Sequence, residues 1–179
     1  MARHVRVPVV FPLSNPTSSC EAEPADVIAW TGGRALVATG SPFDPVRFGS
    51  RYHVIGQANN AFVFPGIGLG AIVAEASAIP DDLFLVAAET LAGAVSHGRL
   101  DERALYPPIG QLRTISRRIA VGVARAARDL GIGRPLEDDA LEAAVDEAMW
   151  WPAYVPYRYR PAGAGVTRAD LPEVLSAVR

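Results

Sequence analysis

NNAFVFPGIGLGA, residues 59–71, supports two readings that lead to different folds. In one, residues 61–64 form a strand that runs into a glycine-rich turn. Gly66, Gly68 and Ala71 then fit the G-x-G-x-x-G/A spacing of a dinucleotide-binding loop. In the other, Pro65 opens a buried helix that is apolar on nearly every side, and the glycines let it start tightly and pack close to its neighbours. The fingerprint needs a strand before the glycines, a helix after them, and a second strand that ends in an acid. Beyond Ala71 the chain continues as a helix to residue 78, the turn Pro80-Asp81-Asp82, and another helix. Asp81 and Asp82 suit a first helical turn, where the macrodipole favours acids. The helix reading is therefore the one adopted.

Working outward, residues 5–13 (VRVPVVFPL) have the continuous apolar character of a strand covered on both faces, as in a parallel sheet. Such a strand needs neighbours on both sides. The polar run SNPTSSCEAEP comes next. Ser18 and Glu21 have capping-box spacing, and Pro24 suits a first turn. The pattern predicts a helix over 25–31 stopped by Gly32-Gly33, a strand over 34–39 and a loop over 40–45. Strand, helix, strand with short joints is a parallel βαβ unit. Further helices are predicted over 65–78, over 81–97 with Gly98 just beyond, over 109–130 and over 136–150, with a Tyr-Pro-Pro connection across 100–108. In the longest helix Ile109, Leu112, Ile115, Ile119 and Val123 form an apolar stripe, and Arg113, Arg117, Arg118, Arg125 and Arg128 lie largely off it. The class is α/β, with few strands followed by a mostly helical portion. Residues 1–150 form the domain and 151–179 a Pro-, Tyr- and Arg-rich tail with a weak helix near 171–178.

Composition narrows the function classes. The chain has 179 residues, 50% hydrophobic and 20% charged, with a net charge of −2. That suits one domain with a sizeable core and makes no electrostatic case for nucleic acid or a membrane surface. The single cysteine, Cys20, excludes an internal disulfide. No apolar run of about 18 residues occurs. The opening MARHVRVPVVF is broken by Pro8 and Pro12 and lacks a small-residue cleavage site, so the expected compartment is the cytoplasm.

Chemistry-bearing residues are sparse. His4, His53 and His97 are far apart, with no i, i+4 pair for a metal. Cys20 has no CxxC partner, and there is no G-x-S-x-G elbow. Asp138 and Asp139, like Asp81 and Asp82, read as helix-start acids. Trp150, Trp151, Tyr154, Tyr157, Arg158, Tyr159 and Arg160 interleave rings and cations, a mixture that can stack on single-stranded nucleic acid. Without a wider basic surface, packing on the chain's own domain or on a neighbouring subunit is the stronger reading. Two polar groups remain. Asn59-Asn60, with Gln57, either cap the turn into the following helix or present an amide to a polar ligand. Asn15 stands at the carboxyl end of the first strand, the edge where open parallel sheets bind ligands. Pro16 holds it extended, which projects its side chain from the strand end.

Several blocks now carry a resemblance: Leu-Ser-Asn-Pro-Thr at 13–17, GRALVATGSPFDPV at 33–46 and GQANNAFVFPGIGLG at 56–70. Gly98-Arg99-Leu100, Leu105-Tyr106-Pro107-Pro108 and the helix after them continue it in the same order. The chain resembles the malic enzyme family over roughly residues 5–130, and residues 150–157 resemble the family's short bacterial tails. The resemblance implies the C-terminal half of a Rossmann-like NAD(P)-binding domain. It implies an enzyme that oxidises malate with NAD or NADP and decarboxylates the product to pyruvate, assisted by Mg or Mn. Asn15 matches a residue that binds malate near the nicotinamide. Asn59 and Asn60 match a pair that contacts substrate and nicotinamide respectively. The pyrophosphate-binding loop, the general-acid tyrosine, the general-base lysine and the three metal carboxylates of the family match nothing in this sequence.

No catalytic and no metal-binding residue is therefore assigned. Two functions are expected from different classes. One is the C-terminal fragment of a malic enzyme, inactive alone and completed by the missing part. The other is a non-catalytic remnant or interaction module that keeps the helical core. The strand over 5–13, lacking partners, leads us to expect self-association or association with the missing part.

Overall fold

The computed structural model describes residues 1–152. The aromatic positions from Tyr154 onward and the weak helix near 171–178 lie outside them. Met1–Met149 form one compact unit. Its elements are β1 (Val9–Val10), α1 (Pro24–Trp30), β2 (Leu36–Thr39), β3 (Val46–Phe48), β4 (Arg51–His53), β5 (Gly56–Gln57), α2 (Phe64–Val73), α3 (Asp81–Gly93), α4 (His97–Asp101), α5 (Leu112–Asp129) and α6 (Asp138–Ala148). The result is a partial Rossmann-like α/β fold, with a small parallel sheet followed by a helical portion.

β2 lies at the centre of the sheet. It pairs in parallel with β1, Val9 opposite Leu36 and Val10 opposite Val37, and with β5, Ala38 opposite Gly56 and Thr39 opposite Gln57. α1 packs on β2, burying Val27, Ile28, Ala35, Val37 and Ile55 together. A second, larger core joins Phe62 and Ile67 to Leu83, Ala87, Ile115, Ile119, Val123 and Leu141 of the helices. Tyr106 connects the two parts. Its ring meets Phe11 and Phe62, with centroids 6.1 and 6.2 Å away. A side chain at Gly56 would come within 3.2 Å of its backbone nitrogen. The guanidinium of Arg99 donates to the Tyr106 carbonyl from Nε (3.3 Å) and Nη2 (3.2 Å).

The glycines of residues 59–71 are helical. A Cβ on Gly66 would lie 2.7 Å from Ile119 and 2.8 Å from the Ser116 carbonyl. On Gly70 it would lie 2.5 Å from the Ala120 carbonyl and 2.8 Å from Val123. Gly66 and Gly70 are one turn apart and share the face that rests on α5. Nothing comes within 4 Å of the equivalent position on Gly68. The two glycines bring α2 and α5 backbone to side chain, closer than any larger residue allows.

α6 is held to α5 by ions as well as by Leu141 and Val145. Arg117 grips Asp146 with two bonds, Nε to Oδ1 (2.5 Å) and Nη2 to Oδ2 (2.7 Å). Arg125 reaches Glu142 (2.8 Å) and Asp138 (3.2 Å), and Arg128 reaches Asp138 (2.7 Å). These partners hold the Asp138 and Asp146 carboxyls below the usual range. Arginines that lie off the apolar stripe of α5 therefore dock a helix.

Several expectations are corrected. Residues 61–64 are not a strand: Asn60–Phe62 form a 3₁₀ turn that leads directly into α2. The strand over 5–13 shrinks to Val9–Val10. Pro8 and Pro12 accept from the N–H groups of Leu36 (2.9 Å) and Gly40 (3.2 Å) but have none to return, so the ladder stays short. It is also not buried on both faces. Val5, Val7, Val9, Phe11 and Leu13 are each 40–47% exposed, and among the described residues no strand pairs with its outer edge. Glu21 forms no capping box with Ser18; it accepts instead from the Ser14 hydroxyl (2.6 Å) and backbone N–H (3.2 Å). The helix over 65–78 stops at Val73, where Glu75 turns left-handed (φ 51°). The helix over 81–97 stops at Gly93, because Ser96 caps a new one by accepting from the Arg99 N–H (3.4 Å). Ile109 lies in a 3₁₀ turn ahead of α5 and is exposed. The β3–β4 hairpin and β5 were not anticipated, since each of these strands is only two or three residues long.

Because only one face of α2 touches α5, the glycines should respond in opposite directions to substitution. Gly70→Ala is expected to lower stability by about 1–3 kcal/mol through overpacking. Gly68→Ala is expected to raise it by about 0.5–1 kcal/mol through helix propensity. Urea unfolding of both variants checks the sign, and equal responses would refute this account of the packing.

Candidate functional site

The three parallel strands deliver their carboxyl ends to one edge of the sheet. β1 leads to Ser14-Asn15, β2 to Gly40-Ser41 and β5 to Asn59-Asn60. Those are all of the chain's asparagines. The strand ends are tied to one another through the backbone. Gly40 N–H donates to the Pro12 carbonyl (3.2 Å), and Ala58 N–H to the Thr39 carbonyl (2.8 Å). Gly40 is buried where the ends converge. A Cβ there would overlap the Leu13 carbonyl oxygen and lie 3.0 Å from Asn15 Nδ2, so only glycine lets the first and second strands close at this point.

Asn15 is exposed, and its carboxamide oxygen accepts from the hydroxyl of buried Ser41 at 2.6 Å. Asn59 is half-buried and its Oδ1 caps the 3₁₀ turn by accepting from Ala61 N–H at 2.9 Å. Asn60 is exposed, in the first position of that turn. Gln57 donates from Nε2 to the Gly40 carbonyl (3.4 Å). Asn59 thus performs the capping role considered from sequence with its oxygen, while its amide nitrogen is left for other partners. In the sequence Ser41 stands out only as a member of the GRALVATGSPFDPV block at 33–46. No local pattern marks it, because its partner is 26 residues away.

At the other end of β2 lies a cavity of about 620 Å³ lined by Leu36, Arg51, Tyr52, Asp101, Glu102 and Arg103, among others. Both signs of charge line it. It sits at the amino end of β2, away from the edge where parallel sheets bind ligands. Near it, Arg103 Nη1 donates to the Arg34 carbonyl at 3.0 Å. His53, at the end of β4, is 2% exposed and neither ring nitrogen has a partner. Its burial, and then the charges of Arg103 and Arg51, push its pKa below the ordinary value. Among the described residues no three His, Cys, Asp or Glu side chains gather in a way that could hold a metal ion. No helix among them is long and apolar enough to cross a membrane.

Comparison with known proteins gives a consistent answer. Residues 1–128 match the family described as malic enzyme, NAD binding domain. The chain is 48% identical over 159 residues to NAD-dependent malic enzyme 3 of Bacillus subtilis. It is 44% identical over 158 residues to NAD-dependent malic enzyme 1 of Vibrio vulnificus. Each match covers 88% of this chain and 28% of the relative, so the chain spans under a third of these relatives' length. Among solved structures, malic enzyme from Pyrococcus horikoshii aligns with a TM-score of 0.56 at 26% identity, over 78% of this chain and 29% of that one. Malic enzyme from Entamoeba histolytica aligns with a TM-score of 0.57 at 23% identity, over 77% and 26%, a likeness of fold.

The environment of His53 sets a pH dependence. As pH falls through 6.5, the unfolded chain takes up a proton that the folded chain resists. Stability present above that pH is therefore lost until the folded pKa is passed, and the loss then stops growing. Denaturant midpoints measured between about pH 7 and pH 5 are expected to fall for the native chain and to fall less for His53→Leu. Equal slopes would show that His53 is not the group responsible.

Proposed function

The chain belongs to the malic enzyme family through its NAD-binding domain, and on that premise we propose that it is the C-terminal part of the nucleotide domain of an enzyme that oxidises malate and releases pyruvate and carbon dioxide. The observation that supports this most directly is the convergence of Asn15, Asn59 and Asn60 on the carboxyl edge of a parallel sheet, where a dinucleotide's reactive end is bound. Asn15 serves malate and the nicotinamide, Asn59 the malate, and Asn60 the nicotinamide.

The residues present fit one end of the cofactor. A carboxamide nitrogen on Asn15 and an exposed amide on Asn60 suit the polar groups of malate and nicotinamide. Gly66 and Gly70 are filled by α5 and have no room for a pyrophosphate, so that end is held by residues outside this set. NAD, the cofactor in the names of the Bacillus and Vibrio relatives, is the one proposed; when bound it accepts a hydride from the substrate. The family's metal carboxylates, general-acid tyrosine and general-base lysine match nothing in this sequence, so the Mg or Mn of the intact enzyme and its acid and base are assigned to another part of it.

In this reading the chain alone does no chemistry. Pure protein given malate, NAD or NADP, and magnesium or manganese is expected to show no reduction of the cofactor above blank. Metal-dependent turnover would overturn the fragment reading. In the complete enzyme, Asn15→Ala and Asn59→Ala are each expected to cost about 1–3 kcal/mol in kcat/KM for malate, the scale of a buried polar partner left unpaired. Unchanged kinetics in both would leave these residues as turn formers.

The open edge of β1 supports the same reading. Residues that alternate along a strand point their N–H and C=O groups to opposite sides. With Pro8 and Pro12 turned to β2, those of Val9 and Phe11 face outward beside exposed apolar side chains. Such an edge recruits another strand. Sedimentation velocity of the isolated chain at micromolar concentration is expected to show self-association, suppressed by a polypeptide carrying the preceding part of the nucleotide domain. A persistent monomer would favour the non-catalytic interaction module instead.

A further inference from the structure

We propose that Ser41 is a positioning residue for Asn15. Its hydroxyl holds the carboxamide oxygen, so the amide nitrogen is the atom presented at the sheet edge to a carboxylate oxygen of the substrate. The inference rests on the reading of Asn15 as a substrate ligand and adds the group that orients it.

A carboxamide can turn over, exchanging an acceptor for a donor at the same place. If it does so, an amide that should donate to an anionic carboxylate offers it a lone pair instead. Something must therefore hold it one way round. The Ser41–Asn15 contact is 2.6 Å, within the range of O–H···O bonds and shorter than N–H···O bonds usually are. The oxygen of Asn15 is the atom that faces Ser41. The nitrogen then lies beside Gly40, where a side chain would press within 3.0 Å of it. Among the described residues it has no hydrogen-bond acceptor, whereas the oxygen is engaged.

Ser41 is itself held in place. The hydroxyl of buried Thr39 donates to the Ser41 carbonyl at 2.8 Å, and Gln57 Nε2 reaches the preceding carbonyl, that of Gly40. Ser41 is 8% exposed, so its side chain is withdrawn from the edge and acts through Asn15. The bond joins the loop after β1 to the loop after β2, and the aim of Asn15 depends on the closure of those two strands.

Magic-angle-spinning NMR on the full chain, labelled with ¹³C and ¹⁵N at asparagine, tests this and reads free and associated protein alike. The three asparagines give three side-chain Cγ–Nδ2 peaks, and Asn15→Ser identifies the one belonging to Asn15. Ser41→Ala is expected to shift and broaden the Asn15 peak as the amide samples both orientations, leaving the Asn59 and Asn60 peaks in place. Ser41→Thr keeps the hydroxyl and is expected to restore a single sharp peak. An Asn15 peak that stays sharp and unmoved in Ser41→Ala overturns the proposal. So does a shift of all three peaks together, which would show a general structural role. The malate kinetics of Asn15→Ala judge the substrate-binding reading separately, because the NMR measurement uses no ligand.

Discussion

The contact of Gly66 and Gly70 with α5 is the constraint on which the rest of the molecule depends. With no Cβ at either position, α2 settles onto Ser116, Ile119, Ala120 and Val123. That close approach fixes where α2 begins, and hence where the 3₁₀ turn and Asn59 ahead of it stand. It also buries Phe62 against the helical core, and Phe62 meets Tyr106, which reaches Phe11 beside β1. A chain of packed groups thus runs from the helix pair to the sheet edge. The glycines serve the site at a distance, by positioning backbone instead of touching phosphate.

The sheet is small, and its first strand is short because two prolines interrupt it. Short strands place little demand on alternation, so the ends of the strands carry the organisation. Gly40 permits the close meeting of the first two ends, and the amide of Gln57 spans from the third strand to the second. Three asparagines collect there from positions 15, 59 and 60. On the far side, the acidic face of α6 is bound by arginines of α5 through exposed ion pairs, which salt screens. Buried Leu141 and Val145 supply the apolar part of that docking.

Long elements were legible and short ones were not. A run such as residues 112–129 repeats its apolar stripe over several turns, enough to identify a helix and its inner face. The hairpin strands within Val46–His53 and the strand at Gly56–Gln57 contain two or three residues each, too few for any period to show. The strand over 5–13 misled for a different reason. Its apolar residues suit burial on both sides, but burial is decided by neighbouring elements, and one side stays open among the described residues. The capping-box pattern pairs Glu21 with the serine three residues before it, whereas the path of the loop brings it to Ser14, seven residues away.

The sequence by itself determined the α/β class, the helical identity of residues 65–73, the stop at Gly32-Gly33, and the family blocks that single out Asn15, Asn59 and Asn60. Local propensity and the order of short blocks carry that information. The tertiary structure decided what each glycine is for. It separated Gly66 and Gly70, which face α5, from Gly68, which faces open space, although all three look alike in the sequence. It also decided that Ser41 meets Asn15. Their bond joins residues 26 apart at the ends of two adjacent parallel strands, and only pairing of those strands brings the two side chains within reach.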